Sequence, residues 1–262
     1  MNYIRPALLP ACLALALAPL TARAQSAPAP VPAIVDPAAR ALIMQMAAAQ
    51  QALHSFVLTV DTQNQVGASA RPRPQTHSQI AYSAPARAAV TLSQHGKAIV
   101  QFFSDGAAST TVDIQHKSYR QDALPAGEAA RIVAAGIGSP GLLPGFYADP
   151  GGLLNLLSAP GVVAVARGPE MEPVGGVPVE SVVTRTVGSH AAEGTFTFVI
   201  GQSDHLLRQV IVHETAPAGK SGPARDLTHT ETVTALEANP SLPAATFAYK
   251  PGRGFKKIGA AR

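Results

Sequence analysis

Apolar and polar positions alternate along most of this chain, and one early stretch breaks that rhythm. Leu42, Met46, Ala49 and Leu53 recur at helical spacing on one face, which predicts an amphipathic helix over Pro37 to Leu53. Asp36-Pro37 supplies an N-cap followed by proline at the first helical position. From Ser55 the period drops to two. Phe56, Leu58 and Val60 alternate with Thr59, Asp61 and Gln63, as in a strand with one buried face. Further strands are predicted over Thr76 to Ser83, Arg87 to Ser93, Ala98 to Phe103, Ala108 to Gln115 and Lys117 to Asp122. His95-Gly96 and Asp105-Gly106 read as hairpin turns between them.

Gly127 to Gly145 holds short apolar runs with no sustained period. Asp149-Pro150 repeats the cap-plus-proline signal, and Leu153, Leu154, Leu156 and Leu157 make a short apolar helix that ends at Pro160-Gly161. A second strand series follows over Val162 to Arg167, Val179 to Val187, Thr195 to Ile200, Leu206 to Glu214 and Leu227 to Leu236. A Gly/Pro/Ser loop over Ala216 to Ala224 interrupts it.

The pattern predicts a mainly β fold with a few helices: about eleven antiparallel strands by this period count, curved into a half-open barrel. The N-terminal helix and the short apolar helix cover its concave face. Phe56, Leu58, Val60, Val90, Leu92, Phe196 and Phe198 are the candidate residues of a ligand cavity. Leu42, Met46, Leu153 and Leu157 are candidate lid residues. The plain alternative for each is core packing.

The first residues set a compartment. Arg5 precedes the apolar run Ala7 to Leu20, and Ala22-Arg23-Ala24 has the form of a signal peptidase site. The expected division is a cleaved signal over 1–24, an Ala/Pro-rich linker over 25–35 and a single β domain over 36–262. Export to the periplasm follows, and the chain is not expected to be an integral membrane protein. Cys12 is the one cysteine and leaves with the signal. The exported chain then has no disulfide, no Cys-ligated zinc and no thiol nucleophile.

Charge excludes little. The net charge is +4, and loss of Arg5 and Arg23 leaves +2. Arg253, Lys256, Lys257 and Arg262 crowd the C-terminus. With no Trp and 5% aromatic residues, stacking platforms for bases are scarce, so nucleic acid is not an expected partner.

No catalytic constellation stands out. Ser139 lies in a glycine run whose spacing does not match a nucleophile elbow. Gly201 to His205 places Ser203, Asp204 and His205 side by side, where they cannot converge as a triad; a polar hairpin tip is expected. His213 with Glu214 and His229 with Glu231 sit on neighbouring predicted strands, and His229 and Glu231 share a face. No metal-ligand spacing accompanies them, so they read as solvated strand residues. No metal, cofactor or catalytic residue is expected.

Several short stretches carry a family resemblance. Leu53 to Thr59 after the opening helix, Tyr82 to Arg87 at a strand end beside Pro85, Ser104-Asp105-Gly106, and Ala244 to Pro251 followed by Gly254 together resemble the periplasmic outer-membrane lipoprotein carrier family, the LolA/LolB-like superfamily. The resemblance implies a half-open barrel that shields acyl chains in water, and Ala244 to Pro251 as its closing strand. It also implies a departure. The family's arginine before the strand-end proline, which holds the lid closed, corresponds here to Ala84, and alternation puts Arg87 on the face away from Val90 and Leu92. The reading is a non-enzymatic carrier or binding protein for an acyl chain, a lipoprotein or another apolar ligand. The alternative is a sensor or scaffold module that meets an envelope protein partner on the same fold.

Overall fold

The computed structural model describes residues 34–67, 73–124, 141–157, 161–187, 193–216 and 225–259. The expected signal and most of the linker, Ser139, and nearly all of the Ala216 to Ala224 loop lie outside the described residues.

A two-residue strand β1 (Ile34–Val35) precedes helix α1 (Pro37–Gln51). The first strand series is β2 (Ser55–Val66), β3 (Arg73–Ser83), β4 (Arg87–Gln94), β5 (Lys97–Ser104), β6 (Ala108–Asp113) and β7 (Ser118–Ala123). Two short helices follow, α2 (Leu142–Ala148) and α3 (Pro150–Leu157). The second series is β8 (Val162–Arg167), β9 (Val179–Val187), β10 (Glu193–Gly201), β11 (Leu207–Ala216) and β12 (Arg225–Ala238). A 3-10 turn over Ala244–Phe247 and a last strand β13 (Lys256–Lys257) complete the described chain.

All thirteen strands form one sheet in the order β1-β8-β9-β10-β11-β12-β2-β3-β4-β5-β6-β7-β13. The two series meet where β12 pairs antiparallel with β2, so β7 and β8 fall near opposite edges. Each edge is extended by a two-residue parallel strand, β13 on β7 and β1 on β8. The sheet is therefore open. The eleven long strands are those legible in the alternation, while the two edge strands are too short to leave a periodic signal.

Burial follows the predicted alternation. Along β2, Phe56, Leu58, Val60 and Thr62 are buried and the residues between them are half-exposed. One hydrophobic cluster joins inner side chains from β8 on one side through β5 on the other. A flat sheet would spread them apart; here it curls around α1 and α2, which fill the hollow. At the first turn, His95 and Gly96 both adopt positive φ, 51° and 73°, the type I′ geometry that matches strand twist. At the second, Asp105 Oδ1 accepts from the Ala107 and Ala108 amides at 2.9 Å each.

Helix α1 starts as predicted, with Asp36 Oδ1 accepting from Ala38 N at 2.9 Å, and ends at Gln51 rather than Leu53. Its Ala39, Leu42, Ile43 and Met46 are at most 4% exposed. The Asp36 amide donates to Val165 O on β8, which pins the helix start to the sheet edge.

The C-terminus departs from the expected closing strand. Ala244–Phe247 forms a 3-10 turn instead, and the segment lies on the outer side of the sheet. Phe247 is buried there, with the Arg87 guanidinium 5.3 Å above its ring. Tyr249 packs against Phe103, Tyr119 and Phe255. A strand at this place would turn every second aromatic to solvent, whereas the compact turn covers an otherwise exposed patch of β4, β5 and β7. Arg87 does point away from Val90 and Leu92, as alternation requires.

Candidate functional site

The inner face of the sheet is the candidate site. Phe56, Leu58 and Val60 on β2, Val90 on β4 and Phe198 on β10 are buried in one cluster with α1 and α2. Phe196 is half-buried and stacks on Phe198 with ring centroids 6.4 Å apart. Leu92 is buried further along β4, outside that cluster. Leu42 and Met46, expected in a lid, are buried on the inner side of α1. Leu153 and Leu157 lie in α3, but their side chains are outside the described residues.

Helix α2 was not legible in the sequence, yet it makes the most specific contacts of the site. Phe146 meets Phe198 edge-on at 5.8 Å and Tyr147 meets Phe56 at 5.4 Å; Phe56 in turn stacks on Tyr82 at 5.2 Å. Leu143 is 0% exposed. The helix therefore spans the hollow from β10 to β2, with its aromatic pair reaching both strand series. Tyr147 also donates its hydroxyl to Leu207 O at 2.7 Å, and burial pushes its phenol well above the usual range.

The start of α2 has no cap of its own, because Gly141 occupies the N-cap position. Glu231 of β12 supplies one from across the hollow. Its Oε1 accepts from Leu142 N at 2.9 Å and its Oε2 from Leu143 N at 2.7 Å. His229 Nε2 lies 2.7 Å from Oε1, and His229 Nδ1 lies 2.6 Å from Asn64 Oδ1 on β2. The expectation of solvated strand residues is thus overturned for this pair: Glu231 is fully buried and the His229 side chain is 13% exposed. Alternation placed them on one face, but only the fold shows that this face is the inner one at β12. By contrast His213 stays half-exposed on the outer face beside Thr228 and Asp226.

Other polar groups are less well served. Gln50 of α1 is 1% exposed, and neither side-chain amide atom has a hydrogen-bond partner. Thr184, 0% exposed on β9, leaves its hydroxyl unpartnered too. Among the described residues no three His, Cys, Asp or Glu side chains converge as a metal site. The Gly201 to His205 stretch is the predicted hairpin tip, in which Asp204 bonds Arg208 and accepts from Leu206 N at 3.0 Å. No helix among the described residues is long and apolar enough to cross a membrane.

No family model matches the chain, and no curated protein matches it. Solved structures do. MucB is 12% identical over 82% of this chain, with a TM-score of 0.42. LprF from Mycobacterium bovis is 11% identical over 79% of this chain and 97% of its own, with a TM-score of 0.44. The LolA superfamily protein NE2245 from Nitrosomonas europaea is 8% identical over 80% of this chain and 97% of its own, with a TM-score of 0.35. The chain spans 64% of the MucB structure. Among solved structures, then, what the chain is similar to includes a LolA superfamily protein.

Proposed function

We propose that this is an exported, periplasmic, non-enzymatic binding protein or carrier that holds an acyl chain on the inner face of the sheet, in the place α2 occupies here. The observation that carries the reading is the makeup of that place. An apolar hollow lined by Phe56, Leu58, Val60 and Phe198 is filled by a short helix through Leu143, Phe146 and Tyr147.

Magnitudes favour exchange. Burial of three such side chains is worth about 5–9 kcal/mol at ~1.5–3 kcal/mol each. An acyl chain gains about 0.8 kcal/mol per buried methylene, so roughly a dozen methylenes contribute ~10 kcal/mol. A long chain therefore offsets the apolar burial that α2 gives up, and a short one does not. The helix keeps the hollow dry when no ligand is bound, which avoids an exposed apolar patch. Phe196, Val90 and Leu92 extend the lining, α1 forms the floor through Leu42 and Met46, and α3, which carries Leu153 and Leu157, packs against both α1 and α2.

A disulfide between α2 and the adjacent strand β11 tests this. The exported chain has no native thiol to interfere, so the bridge is the one redox-sensitive element. A polarity-sensitive acyl amide probe should bind the reduced protein and be excluded from the oxidised one, with recovery on reduction. Equal binding in both states would contradict the reading.

A further inference from the structure

Glu231 places a carboxylate where an apolar ligand would lie. It sits on the inner face between Thr62 of β2 and Val210 of β11 in register, with Val233 next on the same face. It is 0% exposed, and its three close partners are two backbone amides of α2 and His229. When α2 leaves, two of the three donors leave with it. A buried carboxylate stripped of donors is strongly disfavoured. Whatever replaces α2 must then bring donors to the same point.

The helix itself displays what fits. Two adjacent N–H groups meet the carboxylate, and Leu143, Phe146 and Tyr147 run on from them into the apolar hollow. That is the outline of an apolar chain with a donor-bearing head. Resting on the acyl-binding reading, we infer that Glu231 selects the ligand's head group: it accepts a head with amide N–H or ammonium donors and rejects a free carboxylate. His229, held by Asn64, positions the carboxylate. Like-charge repulsion and the loss of both donors act together against a fatty acid anion.

Calorimetric titration of the exported chain, purified without detergent, tests the inference with three probes of one chain length: N-hexadecanoyl-glycylglycinamide, hexadecylammonium and hexadecanoate. The two donor heads should bind at least tenfold more tightly than hexadecanoate. Tighter binding of the amide assigns an acylated peptide, and tighter binding of the ammonium an aminolipid. Glu231→Gln, checked for folding by circular dichroism, should bring all three within about threefold. The wild-type ranking decides the matter alone if that variant does not fold. Equal binding of hexadecanoate by the wild type, or an unchanged preference in a folded Glu231→Gln protein, would overturn the role of Glu231 and leave the carrier reading standing. Binding of none of the three would remove both.

Discussion

Glu231 Oε2 lies 2.7 Å from the Leu143 amide nitrogen, 88 residues earlier in the chain. This contact ties the helix that fills the hollow to the strand that joins the two halves of the sheet.

Glu231→Ala should destabilise the protein by about 3 kcal/mol, because it removes charge-assisted bonds to two amides and His229 and leaves those donors buried. Urea unfolding measures the loss. Hydrogen exchange should speed up at residues 142–148 well before the sheet strands respond.

Phe146→Ala should cost about 3–5 kcal/mol if the side chain leaves a cavity at a packed site. A double-mutant cycle with Phe198→Ala should return a coupling of about 1 kcal/mol for the edge-on pair. A coupling near zero would mean that α2 does not pack on β10 in solution.

Gln50→Leu should raise stability by about 1–2 kcal/mol. The amide is buried without a partner, and a side chain of similar volume removes that penalty. Thermal unfolding of the two proteins side by side gives the sign.

Arg87→Ala should cost only about 0.5–1 kcal/mol, the worth of its stacking on Phe247, and should leave acyl uptake unchanged. Arg87 lies on the outer face, so a drop in uptake with this variant would contradict the assignment of faces.

Asp105 and Asp113 are held below the usual carboxylate range, Asp105 first by the Ala108 amide and Asp113 first by the His116 amide. A depressed folded pKa contributes stability that is present above the unfolded value of about 3.9 and lost as pH falls through the folded value. Their contribution should vanish on the acid side of that range. Carboxyl NMR titration of each residue reads it directly.

Uptake should depend steeply on chain length. Acyl amides of about six carbons gain too little to displace three buried side chains, and those of about sixteen gain enough. A titration series across these lengths checks the threshold.

Much of the framework was legible because strand alternation survives wherever one face is buried. Phe56, Leu58 and Val60 announced β2, and His95-Gly96 announced a turn that requires two positive φ angles. Helix α2 was hidden because Leu142, Leu143, Phe146 and Tyr147 span barely two turns, broken by Pro144 and Gly145, too short for a helical period. Glu231 was misread for a different reason. A charged residue on a strand is ordinarily solvated, and its burial depends on a helix N-terminus from a distant segment that no local pattern encodes. The turn at Ala244–Phe247 was likewise decided by the aromatic patch it covers, not by its own sequence.

The central claim is tested most directly by native mass spectrometry of the protein, purified from its producing cells without detergent and then extracted with solvent. A bound mass that resolves into a long acyl chain with a donor-bearing head is the predicted result. A clean apo mass, with no long-chain acyl amide taken up when offered, would contradict it.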